Sequence, residues 1–133
     1  MIHSFSLRTN QHAMMINITH QVESIIQQEN IQDGIVLIYC THTTAGIMIN
    51  ENADPDVKHD LLMRLNELVP WKHGQDRHAE GNTAAHLKAL FVGNSQMLPI
   101  QSGKLLLGQW QGIYFCEFDG PRERKVIVKI IAG

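Results

Sequence analysis

Apolar and polar positions along the chain change rhythm several times, and each rhythm predicts an element. "IHSFSL" alternates and reads as a strand, with "MMINI" expected as its partner after a turn at Thr9-Asn10-Gln11. From Thr19, placed as an N-cap, Val22, Ile25 and Ile26 share one helical face, and Asp33-Gly34 closes that connection. "IVLIYC" is an unbroken apolar run with branched residues, which predicts a central strand covered on both faces. A polar knot, Thr41-His42-Thr43-Thr44, separates it from a shorter strand, "GIMIN".

Asp54-Pro55-Asp56 then carries the signals of a helix start: a capping carboxylate, proline at the first helical position and a second acid in the first turn. Val57, Leu61, Leu65 and Leu68 recur at helical spacing as its expected buried stripe, and Pro70 ends it. Residues 71–82, "WKHGQDRHAEGN", have no period and no apolar face, a length at which functional loops are over-represented. Asn82 is placed as the cap of a third helix over 83–91, ending at Gly93. The remainder reads as β: "SQMLPI", "KLLLGQWQGIYFCEF" and "KVIVKII", with turns at Ser102-Gly103 and Asp119-Gly120. Strands and helices mix without strict βαβ alternation. The expectation is a compact α+β fold with mixed or antiparallel sheets and about three helices, one domain over residues 1–133.

Composition narrows the function classes. At 44% hydrophobic and 18% charged residues, the 133-residue chain has the make-up of an ordinary globular protein. A formal net charge of −2 argues against a nucleic-acid surface, and no apolar run approaches a membrane span. The opening "MIHSFSLRTN" lacks the basic start and apolar core of a signal peptide, so the expected location is cytoplasmic. Cys40 and Cys116 sit inside apolar segments without a C-x-x-C pattern and read as buried free thiols, with a zinc ligand or a nucleophile as the alternatives.

The candidate chemistry lies in the polar interruptions. His42 follows the central strand, where functional groups cluster on sheet-based folds, and Thr43-Thr44 either satisfy turn backbone or bind phosphate oxygens. "NEN" at 50–52 is either a turn or a presented carboxylate, Glu51, flanked by amides; Asp60 lies off the helical stripe and is free to face a cleft. His73, His78 and His86 are rich enough in imidazole for a divalent metal, although their spacing matches no short metal motif. Trp110-Gln111-Gly112 reads either as an aromatic wall beside an amide or as core with a bulge at Gly112. Glu117 shares strand parity with Ile113 and Phe115, so it needs an inward partner, a cation or a metal-bound histidine. Arg122, Arg124 and Lys125 read as a solvated hairpin end ahead of an anion site.

Together "HTTAGIMINENADPDVKHD", "EGNTAAHLKALFVG" and "LPIQSGKLLLGQWQGIYFCEFDGPR" resemble the YjbQ family, the secondary thiamine-phosphate synthase enzyme family, across about residues 2–131. The resemblance implies a homotrimer with a small polar pocket lined by histidines and holding a divalent metal, zinc ahead of magnesium or manganese. By motif it implies His42, His73 and His86 as metal ligands, with His78 competing with His73 for the third place. It likewise implies Asn50, Glu51, Trp110 and Gln111 as pocket residues.

Its name describes the joining of a pyrimidine methyl diphosphate to a thiazole phosphate with loss of pyrophosphate. The dedicated enzymes of that reaction are TIM barrels, which this chain is too short to form, and no glycine-rich phosphate loop is present. The activity is therefore expected to be secondary, with another primary substrate. In that reading Glu51 or Asp60 is the acid/base, and Thr43 and Arg122 bind a small anionic or phosphorylated metabolite. The alternatives are a metal-dependent hydrolase of a small ester or phosphate, and a metabolite- or metal-binding module that does no chemistry.

Overall fold

The computed structural model of the chain describes residues 2–133. The elements run β1 (Ile2–Arg8), β2 (Met14–Asn17), α1 (Thr19–Glu29), β3 (Gly34–Cys40), β4 (Ala45–Glu51), α2 (Pro55–Leu68), α3 (Thr83–Val92), β5 (Ser95–Gln101), β6 (Lys104–Leu105), β7 (Gln111–Glu117) and β8 (Glu123–Ala132). They form two antiparallel sheets: five strands in the order β1-β8-β3-β5-β6, and three in the order β2-β7-β4. The fold is α+β, as the mixed pattern predicts.

The sheets face each other across the main core. Val36 and Ile38 of β3, Leu98 of β5 and Val126 and Val128 of β8 meet Ile47 of β4 and Ile113 and Phe115 of β7, with Val22 and Ile26 of α1 closing one side. Removing such side chains from water is the main driving force of the fold, at roughly 1.5–3 kcal/mol each. The far side of the three-stranded sheet carries a second cluster, Met15, Tyr114, Cys116 and Phe118, against Ala85 and Ala89 of α3 and the half-buried Leu61, Leu62 and Leu65 of α2. The order of layers is five-stranded sheet, three-stranded sheet, helices.

Some local signals act as they predict, but Thr19 does not cap α1: Ile18 holds the N-cap position and Thr19 Oγ1 instead accepts from the Ile113 amide at 2.9 Å. Asp54 caps α2 with Oδ1 accepting from the Asp56 amide at 2.9 Å, and Pro55 opens the helix. Ser102 and Gly103 adopt positive φ of 53° and 79° in the β5–β6 turn, which glycine takes without strain. Cys40 and Cys116 are buried free thiols, and burial pushes Cys116 up to about 12.

Four expectations that depend on distant partners differ from the structure. β1 and β2 do not pair: β1 lies on β8 and β2 on β7, in different sheets. "KLLLGQWQGIYFCEF" is two strands, β6 and β7, also in different sheets, because the chain turns between Gly108 and Gln111. α2 buries no residue fully and Leu68 is 77% exposed, since the helix only leans on the second cluster. β3 is covered on one face alone: Val36, Ile38 and Cys40 point inward, while Ile35 and Tyr39 are 40% and 39% exposed on the outer face of the larger sheet.

Candidate functional site

The polar knot after β3 forms one wall of a cleft of about 330 Å³, lined by Thr41, His42, Thr43, Thr44, Glu80, Asn82, His86, Asp119, Arg122 and Arg124. Three segments meet there: the β3–β4 turn, the approach to α3 and the β7–β8 turn. The structure thus brings His42, Thr43, Thr44, His86, Arg122 and Arg124 together, out of the residues singled out in the sequence.

Beneath the cleft lies a buried ion pair. Glu117, the last residue of β7, is fully buried and Arg124 of β8 is 4% exposed. Arg124 donates to Glu117 through Nε at 2.8 Å and through a second, shorter bond from Nη2, and the same Nη2 donates to Thr44 Oγ1 at 2.9 Å. Thr9, also fully buried, donates its hydroxyl to Glu117 Oε1 at 2.7 Å, and the Asp119 amide donates to Oε2 at 3.0 Å. Burial alone would raise the Glu117 carboxyl, but the bonds from Arg124, Thr9 and Asp119 outweigh it and hold the group below its ordinary value. The inward cation that strand parity demanded is therefore Arg124. Its own parity with Val126 and Val128 of β8 marks it as inward-facing too, which corrects its reading as part of a solvated hairpin end.

His42 is fixed by a backbone group. The Lys125 amide donates to its Nε2 at 2.9 Å, so that nitrogen is an acceptor and Nδ1 carries the ring proton. Burial first, and then the positive charge of Arg124, lower its pKa, so the ring is neutral near pH 7. Thr44 already accepts from Arg124, which leaves its own proton free to donate. Arg122 is held by Asp119, with Nε donating to the Asp119 carbonyl at 2.7 Å and Nη2 to its carboxylate at 2.9 Å, and it remains half exposed.

Asn82 stands at the N-cap position of α3 but makes no side-chain capping bond. Instead its Nδ2 donates to Asp119 Oδ2 at 2.8 Å, tying the start of α3 to the β7–β8 turn, while its buried Oδ1 has no partner among the described residues. His86 lies one turn into α3 with the His78 ring 5.6 Å away, edge to face. Of the two candidates for the third histidine, the one beside His86 is His78. His73 does not line the cleft; its Nδ1 accepts from the Gln75 amide at 3.2 Å within the loop.

These placements bear directly on the metal expected at His42, His73 and His86. A zinc-type centre needs three nitrogen lone pairs converging at about 2 Å from one point. His42 Nε2 is engaged by an amide, His42 Nδ1 carries the proton, and His73 is elsewhere. Among the described residues no group of three or more His, Cys, Asp or Glu side chains is arranged to hold a metal ion. The residues of one chain do not fit a three-histidine centre.

The second polar group occupies the opposite end of the sheet. Thr44 immediately precedes β4 and Asn50-Glu51 end it, so the knot and "NEN" are separated by the length of the strand, about 20 Å. The same register pairs Ala45 with Glu117 and Glu51 with Gln111. The two groups therefore do not converge on one pocket within the chain. Trp110 is 57% exposed, Gln111 Oε1 accepts from the Gly108 amide at 2.8 Å, and Tyr114 donates to the Glu51 carbonyl at 3.0 Å. Asp60 sits on the exposed side of α2 beside His59, 3.1 Å away, and does not line the His42 cleft. Sequence reasoning missed Glu80, Asn82 and Asp119 as cleft residues; all lie inside the segments "RHAEGN" and "DGPR" but read there as a cap and a turn.

The two antiparallel sheets and three helices define a small α+β fold with a strand-end cleft of histidines, threonines and arginines. Comparison with known proteins gives the family. The UPF0047 protein YjbQ-like family model matches residues 3–133. The UPF0047 protein YugU of Bacillus subtilis is 55% identical over 131 residues, covering 98% of this chain and 99% of that one. A UPF0047 protein of Methanocaldococcus jannaschii is 50% identical over 98% of this chain and 94% of its own length. A crystal structure of a YjbQ/UPF0047 family protein from Clostridium acetobutylicum superposes with a TM-score of 0.93 at 52% identity, covering 96% of this chain and 98% of that one. A YbjQ-like protein of unknown function from Sulfolobus solfataricus gives 0.95 at 33% identity, covering 100% and 97%. The chain belongs to the YjbQ (UPF0047) family. No helix among the described residues is long and apolar enough to cross a membrane.

Proposed function

We propose that the cleft binds the phosphoryl group of a small phosphorylated metabolite. The observation that carries this reading is the bond from the Lys125 amide to His42 Nε2: it leaves Nδ1 as the ring's donor, on a side chain that lines the cleft with Thr44 and the half-exposed Arg122. Hydrogen-bond donors gathered at one place suit oxyanion oxygens, and bonds to charged groups are each worth roughly 1.5–3 kcal/mol. The thiamine-phosphate synthase activity implied by the family name is a secondary use of the same donors, which would stabilise the departing pyrophosphate. His86, beside His78, is the group placed to move a proton.

Calorimetric titration with inorganic phosphate and with pyrophosphate tests the binding. Saturable binding that weakens about tenfold or more in His42→Ala and in Arg122→Ala is expected. Binding that is absent, or indifferent to both substitutions, would overturn the reading. The synthase step is measured separately, from pyrimidine methyl diphosphate and thiazole phosphate, as thiamine phosphate formed by the wild type and lost in His42→Ala.

The same proposal includes a homotrimer. Its support is the uncovered face of the five-stranded sheet, where Ile35, Leu37 and Tyr39 of β3, Met97 of β5 and Ile127 and Ile131 of β8 form a contiguous apolar patch in register. Contiguous exposed patches of this kind mark interaction surfaces. Sedimentation equilibrium should return three times the 15.1 kDa chain mass, and Tyr39→Glu with Met97→Glu should return the single chain.

A further inference from the structure

A second cleft, of about 390 Å³, lies on the helical side of the molecule and is lined by His12, Ala13, His59, Leu62, Met63, Leu65, Asn66, Lys88 and Phe118. It shares no residue with the His42 cleft. The two are served by opposite faces of α3: His86 and Lys88 are two positions apart, about 200° around the helix.

Lys88 is the unusual group. It is only 5% exposed, a rarity for a lysine, which is almost never buried unless paired with a carboxylate. Here no carboxylate pairs with it among the described residues. Its single hydrogen bond is from Nζ to the neutral Asn66 Oδ1, at 3.2 Å. The surrounding side chains are Leu62, Leu65 and Phe118, which solvate a charge poorly. Burial accordingly lowers the pKa of the amine. A lysine held in apolar surroundings without a counter-ion is a nucleophile rather than an ion-pair partner, provided that a reagent can reach it. The open cleft supplies that access. Of its lining residues only His12 and His59 titrate besides Lys88; both are largely exposed, and His12 is steadied edge-on by Trp71 at 4.4 Å.

We infer that Lys88 is a reactive amine that condenses with small aldehydes in this cleft, a site separate from the phosphate cleft. The neutral Nζ attacks the carbonyl carbon, forming the C–N bond. The carbonyl oxygen then leaves as water with the two amine protons, and the imine remains. The two imidazoles of the cleft are the proton carriers at hand. No oxidant, reductant or metal enters the balance. Asn66 positions Nζ through its one hydrogen bond, and Leu62, Leu65 and Phe118 limit the aldehyde to a small, largely apolar one.

The test is trapping. The intact protein is treated at neutral pH with propionaldehyde and cyanoborohydride, and alkylation is followed at each lysine by peptide mass spectrometry. Lys88 should be modified several-fold faster than Lys58, Lys72, Lys104, Lys125 and Lys129, because burial lowers its pKa and the cleft admits the reagent. Modification of Lys88 at the same rate as the others, or more slowly, would overturn the inference. Asn66→Ala is the second variant: Lys88 reactivity should change while the rates at the other five lysines do not, a result that a merely unfolded protein would not give. Phosphate binding is read at a different cleft, so either proposal can fail alone.

Discussion

β4 joins two groups of polar side chains that look equally suggestive in the sequence and are physically unlike. At its start, Thr44 and the neighbouring Glu117, Arg124 and Thr9 form a buried charged network in which each bond rests on another. At its end, Asn50 and Glu51 spend their side chains on local turn bonds, Asn50 Oδ1 taking the Glu51 amide at 2.7 Å and Glu51 Oε2 the Ala53 amide at 2.9 Å, while Asn52 Oδ1 accepts from Asn17 Nδ2 of β2 at 2.6 Å. The first group is shaped by distant strands and leaves donors facing a cleft. The second mostly satisfies its own backbone. Polar residues at a strand end therefore indicate a site only where something other than the turn determines where they point.

Replacing Arg124 is the largest test of this contrast. Arg124→Met leaves a fully buried carboxylate, Glu117, without its counter-ion. Breaking a buried pair from one side is worth about 3–5 kcal/mol, so urea or thermal unfolding should show a loss of that order. Trp110→Ala at the other end removes a side chain that is 57% exposed, and should change stability by less than about 1 kcal/mol. Comparable losses for the two would erase the distinction.

A paired glycine substitution asks the same question at smaller scale. A Cβ on Gly46, beside the cleft end of β4, would lie 2.5 Å from the Gly93 carbonyl oxygen, which also receives the Ile47 amide and has no room to yield. A Cβ on Gly112, paired with Asn50, would meet the exposed Asn52 side chain, with Cγ at 2.9 Å and Cβ at 3.0 Å, and that side chain can yield only by giving up its bond from Asn17. Gly46→Ala should cost roughly 1–3 kcal/mol and Gly112→Ala less than that, both by chemical denaturation.

How much of this was legible depends on how local the cause is. The α2 cap was readable because Asp54 and Asp56 lie two residues apart, and the β5–β6 turn because the positive φ of Gly103 favours glycine there. Strand partners were not: nothing near "IHSFSL" says that it pairs with residues 123–129. The cleft was half legible. His42 announces itself by interrupting an apolar run, and Glu117 by strand parity. Arg124 carries the same parity signal with Val126 and Val128, but its charge argues for solvent until Glu117 is known to face it. "NEN" misled because the strand that makes it adjacent in sequence is the strand that holds it apart in space.

The acid limb of the stability curve should report on the cleft end of β4. The folded-state pKa of Glu117 is depressed, so the unfolded state binds a proton more readily as the pH falls. The carboxylate's contribution is complete above its unfolded value, near 4.3, and is lost as the pH drops through the folded one. Glu117→Gln should remove that component, flattening the loss of stability below about pH 4.3 relative to the wild type. Denaturation midpoints between neutral and strongly acid pH give the comparison.

The smallest effect is the most informative about the cleft, because it concerns one proton on one ring. With its pKa lowered by burial and by Arg124, His42 should titrate below the ordinary 6.5. The sign for stability follows: native His42 is neutral, the unfolded ring takes up a proton first, and a small part of the stability is lost as the pH falls below about 6.5. Nitrogen-detected NMR of the imidazoles, with His42 assigned by its absence in His42→Gln, should show the Nδ1–H tautomer at neutral pH and a midpoint under 6.5. An Nε2–H tautomer would mean that the Lys125 amide does not hold the ring. Nδ1 would then carry the lone pair, the donor set proposed for phosphate would lose its central member, and a metal ligand at this position would fit the geometry better than an oxyanion donor.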